Sequence, residues 1–218
     1  MLGVMTDPAP VTVPDAPEVA REVFGDRLAL AEAFAAELAD TGVSHGLIGP
    51  REVPRLWDRH VLNCAVPAVV IPEGSRIVDV GSGAGLPGIA MAIARPDLDV
   101  VLVEPMLRRT TWLSETIARL GLERVEVVRG RAEDVAGSVS APIVTARAVA
   151  RIDKLARWCV PLLDRPGRIV ALKGRSAREE LAEETAVLRR LGMTAGGVHE
   201  VGDGILEETT LVMDLRFG

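Results

Sequence analysis

The pattern of apolar and polar positions divides the chain into a helical first third and a strand-helix repeat. From Asp26, read as an N-cap, Leu28, Ala31, Phe34, Ala35 and Leu38 recur at helical spacing until Gly42 ends the pattern. A second helix is expected from near Pro54 to about Val66. Its Trp57, Val61, Cys64 and Ala65 form an apolar stripe, while Arg55, Arg59 and Asn63 fall on another face beside His60. Strands are then expected at 76–80, 99–104, 125–129, 142–146 and 168–173, with helices near 87–95, 108–120, 152–163 and 176–191. Strands near 196–201 and 208–216 close the chain. Short apolar strands separated by helices predict an α/β fold: a doubly wound, mostly parallel seven-stranded sheet with an antiparallel last strand. Ligands of such sheets bind at the carboxyl ends of the strands. The expected organisation is a disordered tail over 1–16, rich in proline, a helical extension over 17–70, and the sheet domain over 71–218.

The repeat is organised around Val78-Asp79-Val80-Gly81-Ser82-Gly83-Ala84-Gly85-Leu86-Pro87-Gly88. Glycines there remove Cβ where a backbone turns sharply and touches a ligand, and Pro87 suits the first turn of a helix. Gly83, Gly85 and Gly88 alone would also fit a nicotinamide dinucleotide. The acids discriminate. A carboxylate at Asp79 would repel a pyrophosphate and attract a sulfonium or an ammonium. Glu104, at the end of the second strand, is placed to accept hydrogen bonds from ribose hydroxyls of either cofactor. Gly130-Arg131-Ala132-Glu133-Asp134, after the third strand, could meet an adenine edge. Together the three strand ends resemble the class I S-adenosylmethionine-dependent methyltransferases, whose sheet is Rossmann-like.

Composition narrows the setting. The chain has 218 residues, 48% of them apolar, and a formal net charge of −6. No apolar run approaches the roughly 20 residues that span a bilayer, and the start lacks the basic region of a signal peptide, so a cytoplasmic protein without a membrane partner is expected. Cys64 and Cys159 are isolated, which points to neither a disulfide framework nor a metal site. The negative total argues against nonspecific nucleic-acid binding, but basic residues gather over 51–59, 108–131, 147–157 and 165–178, which permits a basic face.

The acceptor is read from the fourth and fifth strand ends. Thr145-Ala146-Arg147-Ala148 lacks the Asn/Asp-Pro-Pro-aromatic segment of N6-adenine enzymes. Both cysteines fall on expected helices, away from where carbon-5 pyrimidine chemistry needs a nucleophile. Guanine N7 carries a ring lone pair with no proton to remove, so its methylation needs positioning and no general base. Arg147 and Lys173 stand at the two strand ends that would face such an acceptor, and Arg or Lys is the usual donor to the guanine N7/O6 edge.

Four segments carry a closer likeness: Trp57-Asp58-Arg59-His60-Val61-Leu62-Asn63, the loop Asp79 to Ile89, Ala146-Arg147-Ala148 and Leu172-Lys173-Gly174. Over roughly 50 to 216 the chain resembles the RsmG family, once called glucose-inhibited division protein B, and Leu86-Pro87-Gly88 is the most family-specific part. The resemblance implies an enzyme that uses S-adenosyl-L-methionine to methylate N7 of a guanine in 16S ribosomal RNA near the decoding site. The substrate would be the small subunit or an assembly intermediate, and a monomer is expected. It also implies that Gly81 and Leu86 line the methionine and ribose part of the cofactor and that Ala132 and Glu133 form the adenine-side pair. Arg147 would lie at the cofactor and acceptor boundary, with His60 and Lys173 around the acceptor pocket. Two positions depart from the family pattern: Asn63 stands where Asp is frequent, and Pro105-Met106-Leu107-Arg108-Arg109 replaces an Asp-Ser start after the second strand. A methyltransferase for a small molecule or a protein, and a cofactor-binding regulator without activity, are the alternative readings.

Overall fold

The computed structural model describes residues 13–147 and 150–218. The inner end of the expected tail belongs to the packed structure. Val13 and Ala16 lie against the apolar core, and the Trp57 indole N–H donates to the Pro14 carbonyl at 2.9 Å. Residues 1–12, the rest of that tail, and Ala148 of the fourth-strand motif lie outside the described residues.

The first third is helical but less regular than its periodicity suggests. Helices α1 (Ala20–Phe24) and α2 (Leu28–Glu37) are joined by a tight turn over Gly25–Arg27, so Asp26 sits inside that turn and caps nothing. Ala31, Phe34, Ala35 and Leu38 are all buried, as their spacing requires. The second expected helix is broken into tight turns over Pro50–Arg55, a wide helical stretch Leu56–Leu62, the short α3 (Asn63–Ala65) and a further tight turn over Val66–Val70. Pro54 and Pro67, which supply no N–H, fit these changes of winding. Trp57, Val61, Cys64 and Ala65 keep their shared buried face, and His60 is buried with them at 8% exposure.

The strand-helix repeat begins with β1 (Arg76–Val80), α4 (Gly88–Ala94) and β2 (Asp99–Glu104). It continues with α5 (Leu107–Leu120), β3 (Val125–Arg129), α6 (Ala132–Val135) and β4 (Ala141–Arg147). It ends with α7 (Ile152–Cys159), β5 (Leu163–Lys173), α8 (Ala177–Arg190), β6 (Met193–Val201) and β7 (Thr210–Phe217). The seven strands form one sheet in the order β3-β2-β1-β4-β5-β7-β6. β1 to β5 run parallel, and β7 pairs antiparallel with both β5 and β6. The order reverses between β1 and β4, which opens a crevice beyond their carboxyl ends.

Alternation along the strands makes two apolar layers. Ile77, Val100, Leu102, Ile143 and Val170 join α4, α5 and the helical first third in one layer. Val78, Val101, Val103, Val144 and Ile169 face α7 and α8 in the other. The first third is therefore packed on one side of the sheet, and its Leu47–Glu52 segment and wide turns reach the crevice.

Candidate cofactor and acceptor site

A cavity of about 820 Å³ opens at the carboxyl edge of β1, β4 and β5. It is of the size that small-molecule sites occupy. Its floor is the loop Gly81 to Leu86, one wall is the stretch from Leu47 to Asn63, and Glu207 to Leu211 close the far side.

The loop follows from the strand that feeds it. β1 leaves the sheet at Val80, and the N–H groups of Gly81 and Ser82 still reach the Val103 carbonyl at 2.9 and 3.3 Å. Gly81, Gly83 and Gly85 adopt φ of 72°, 55° and 76°, a region that disfavours other residues. The three glycines of the motif do different work. A Cβ on Gly83 would meet nothing within 4 Å except the Gly81 carbonyl, at 3.7 Å, so its missing side chain leaves room in the cavity. A Cβ on Gly85 would collide with Ile89, and one on Gly88 with Leu102 and, at 2.9 Å, Asp79 Oδ2. Gly85 lets the loop close on α4, Gly88 lets α4 approach β1 and β2, and neither lines the cavity.

The two acids are placed differently from the sequence expectation. Asp79 does not face the cavity. It is fully buried beneath the loop, where Oδ2 accepts from Gly88 N–H at 3.0 Å and its backbone carbonyl accepts from Ser82 Oγ at 2.9 Å. Oδ1 has no protein partner. Glu104, 2% exposed, braces the loop from the side: Oε2 accepts from Gly83 N–H at 3.1 Å and Oε1 from Met106 N–H at 3.0 Å, with Arg109 3.6 Å away. Backbone N–H groups next to a carboxylate are strong partners, and both acids hold the loop before any ligand arrives.

Burial, opposed by the Gly88 N–H and Ser82, pushes Asp79 up to about 7 from its ordinary 3.8. An acid whose pKa is raised by folding stabilises the fold below its unfolded pKa and loses that contribution as pH rises through the folded one. The unliganded protein should therefore lose stability to this group between 3.8 and about 7. Asp79→Asn keeps an acceptor for Gly88 and should flatten melting temperature against pH over that window, relative to the parent. Identical slopes in the two proteins would contradict this assignment.

Arg147, at the end of β4, crosses from the sheet to the helical wall. One of its terminal nitrogens lies 3.2 Å from His60 Nδ1 and 3.4 Å from the Arg59 carbonyl. On its other side, His60 Nε2 lies 2.9 Å from Glu52 Oε2. Burial, the largest influence, holds His60 below its ordinary value, and the Arg147 charge adds to it against the pull of Glu52. Asn63 lies on no free polar stripe: its amide donates to Thr210 Oγ1 at 2.6 Å, tying the wall to β7. Asp58 likewise accepts from the Glu207 N–H at 3.0 Å.

Lys173 lines the cavity, but its ammonium is engaged. Nζ donates to Glu180 Oε1 and to the Ala150 carbonyl, both at 2.8 Å, and the two side chains are 8% and 11% exposed. Glu180 also accepts from the Ile152 N–H that opens α7. A buried ammonium requires such a partner, and this pair joins the end of β5 to α8 and to the start of α7.

Of the residues marked in the sequence, the structure brings Gly81, Gly83, Leu86, His60, Arg147 and Lys173 into one cavity. Gly85, Asp79 and Glu104 lie behind the loop. Ala132 is buried at the start of α6 and Glu133 is exposed beside it, at the neighbouring strand end, where the Gly130 N–H joins the Glu104 carbonyl at 3.2 Å. Sequence reading missed Glu52 and Thr210, whose partners come from a different turn and from the far end of the chain. The cysteines offer no nucleophile: both are fully buried, and burial pushes Cys64 up to about 11 and Cys159 higher still.

The open room at Gly83 and the Arg147 guanidinium suit a small ligand that carries an anionic group. Sheet order, glycine loop and the crevice at the switch between β1 and β4 define the class I methyltransferase fold. A solved S-adenosylmethionine-dependent methyltransferase from Aquifex aeolicus shares it, with a TM-score of 0.55 at 18% identity over 78% of this chain and all of that one. The family described as "GidB: rRNA small subunit methyltransferase G" matches residues 27–208, and the chain belongs to that family. Two relatives, each called "Ribosomal RNA small subunit methyltransferase G", are close over nearly full length. The one from Salinispora arenicola is 55% identical, covering 96% of this chain and 90% of its own. The one from Streptomyces avermitilis is 53% identical, covering 94% and 87%.

Proposed function

We propose that this protein transfers a methyl group from S-adenosylmethionine to N7 of a guanine in the 16S ribosomal RNA, acting as a cytoplasmic monomer on the small subunit or its assembly intermediate. The observation that carries the reading is the state of the groups around Arg147. His60 and Glu52 hold each other, the lysine is paired, and both thiols are buried in the core. A wall so engaged removes no proton and forms no covalent intermediate. It positions an acceptor that already owns a lone pair, as guanine N7 does.

The cofactor supplies an activated methyl group when bound. Gly81, Gly83 and Leu86 form the surface it lies on, and Asp79 braces that loop from beneath through the Gly88 N–H. Ala132 and Glu133, at the adjoining strand end, serve the adenine side. Arg147 stands between loop and wall, where a planar guanidinium can donate to guanine O6, to a flanking phosphate or to the methionine carboxylate. Lys173 is a positioning residue: through Glu180 it ties the end of β5 to α8, and through the Ala150 carbonyl to the segment that leads into α7. At the mouth, Arg55, Arg59 and Arg175 line the approach, in line with an RNA partner held by its backbone.

Nucleoside mass spectrometry of small-subunit RNA from cells with and without the gene tests this reading. One 7-methylguanosine should disappear with the gene and return with it. An unchanged nucleoside profile would refute the proposed substrate.

A further inference from the structure

Arg147 can align an acceptor only if something holds the guanidinium, and the protons of the Glu52, His60, Arg147 row show what does. Arginine donates and never accepts. The 3.2 Å approach of its terminal nitrogen to His60 Nδ1 is therefore a hydrogen bond only when Nδ1 carries a lone pair. A neutral ring then has its one proton on Nε2, and that nitrogen lies 2.9 Å from Glu52 Oε2. The opposite tautomer would set a Nδ1 proton against the Arg147 N–H and leave Nε2, without a proton, against a carboxylate. Both ends of the ring would then repel.

Resting on the acceptor role given to Arg147 above, we infer that Glu52 is a positioning residue that acts through His60: it fixes the Nε2–H tautomer, whose Nδ1 holds Arg147 across the cavity. The charged neighbours agree with this arrangement. Glu52 is held below its ordinary value, first by its bond from His60 and then by Arg59 and Arg55, so it stays an acceptor. Arg59 Nε lies 3.5 Å from the same oxygen and is half exposed, which makes it a weak rival for Glu52. His60 is buried and resists a second proton. The wide winding of Leu56–Leu62 places His60 between the tight turn that carries Glu52 and the end of β4.

Three histidines make the ring states readable by long-range proton-nitrogen NMR, because His45 and His199 can be removed singly to assign His60. In the parent, His60 should show a protonated Nε2 and an unprotonated Nδ1. Glu52→Ala should mix the tautomers and lower kcat for methyl transfer about tenfold or more, the scale of one lost hydrogen bond to a charged group. Glu52→Gln, which still accepts from Nε2–H, should recover most of that loss. In a His60→Ala background, Glu52→Ala should add nothing, because its path to Arg147 is already gone. A Nδ1–H tautomer in the parent, a tautomer indifferent to Glu52→Ala, or losses that simply add would each overturn the inference. Melting curves confirm folding, since Glu52 is half-buried at the rim and its removal leaves no cavity in the core. If the parent methylates no guanine in 16S RNA, the functional reading above fails, and the tautomer measurement still decides the role of Glu52.

Discussion

Arg147→Ala should lower kcat/KM for methyl transfer to small-subunit RNA by about 5- to 150-fold, the 1–3 kcal/mol typical of a specific base contact. The side chain is half-buried at the end of a strand that is itself fixed on both sides, so truncation removes donors without disturbing the sheet. Its loss also frees His60 Nδ1 and the Arg59 carbonyl, both of which can turn to water in the open cavity. Arg147→Lys should not rescue fully, because a point charge cannot reproduce a planar fork that meets two acceptors. Single-turnover kinetics with saturating cofactor separate this defect from weakened cofactor binding. A parental rate in the alanine variant would move the acceptor pocket elsewhere on the wall.

Gly83→Val should abolish cofactor binding in a protein that still folds. In the parent, S-adenosylmethionine at about 100 times its dissociation constant should add about 2.7 kcal/mol of stability by mass action. At Gly83 the space a side chain would take is the open cavity, and φ of 55° is disfavoured for a branched residue. The variant therefore fills the ligand's place or reshapes the turn, and the melting shift on adding the cofactor disappears. The comparison with Gly88→Val is informative, since that side chain would strike Leu102 and Asp79 and should cost folding itself. NADH should shift neither the parent nor the variant. A shift retained in Gly83→Val would place the cofactor off this loop.

The strands and their carboxyl edge were legible because a parallel sheet covered on both faces needs mostly apolar runs, and Ile77, Val78 and Val80 with Val100 to Val103 supply them. The start of β5 was not. It begins at Leu163, not 168, pairing with Ala141 across a register irregularity, whereas Pro166 and Gly167 read as a loop. The class of site was legible in Gly81 to Gly88. What each acid does there was not, because the partners of Asp79 and Glu104 are backbone N–H groups of the loop they brace, and every residue type carries those. Lys173 was read as a free donor for the same kind of reason. Nothing in the sequence pairs Glu180 with it, and only the packing of α8 beside β5 brings that carboxylate to the ammonium. His60 was placed on a polar stripe by ideal helical spacing, which the wide winding of Leu56–Leu62 does not follow.

The central claim, a site that positions a lone pair and removes no proton, is tested most directly by a substrate that lacks only that lone pair. Small-subunit RNA carrying 7-deazaguanine at the target should bind the protein as the normal RNA does and accept no labelled methyl group from S-adenosylmethionine. Transfer to the deaza substrate at the normal rate would show that the methyl group goes to another atom and would contradict the account.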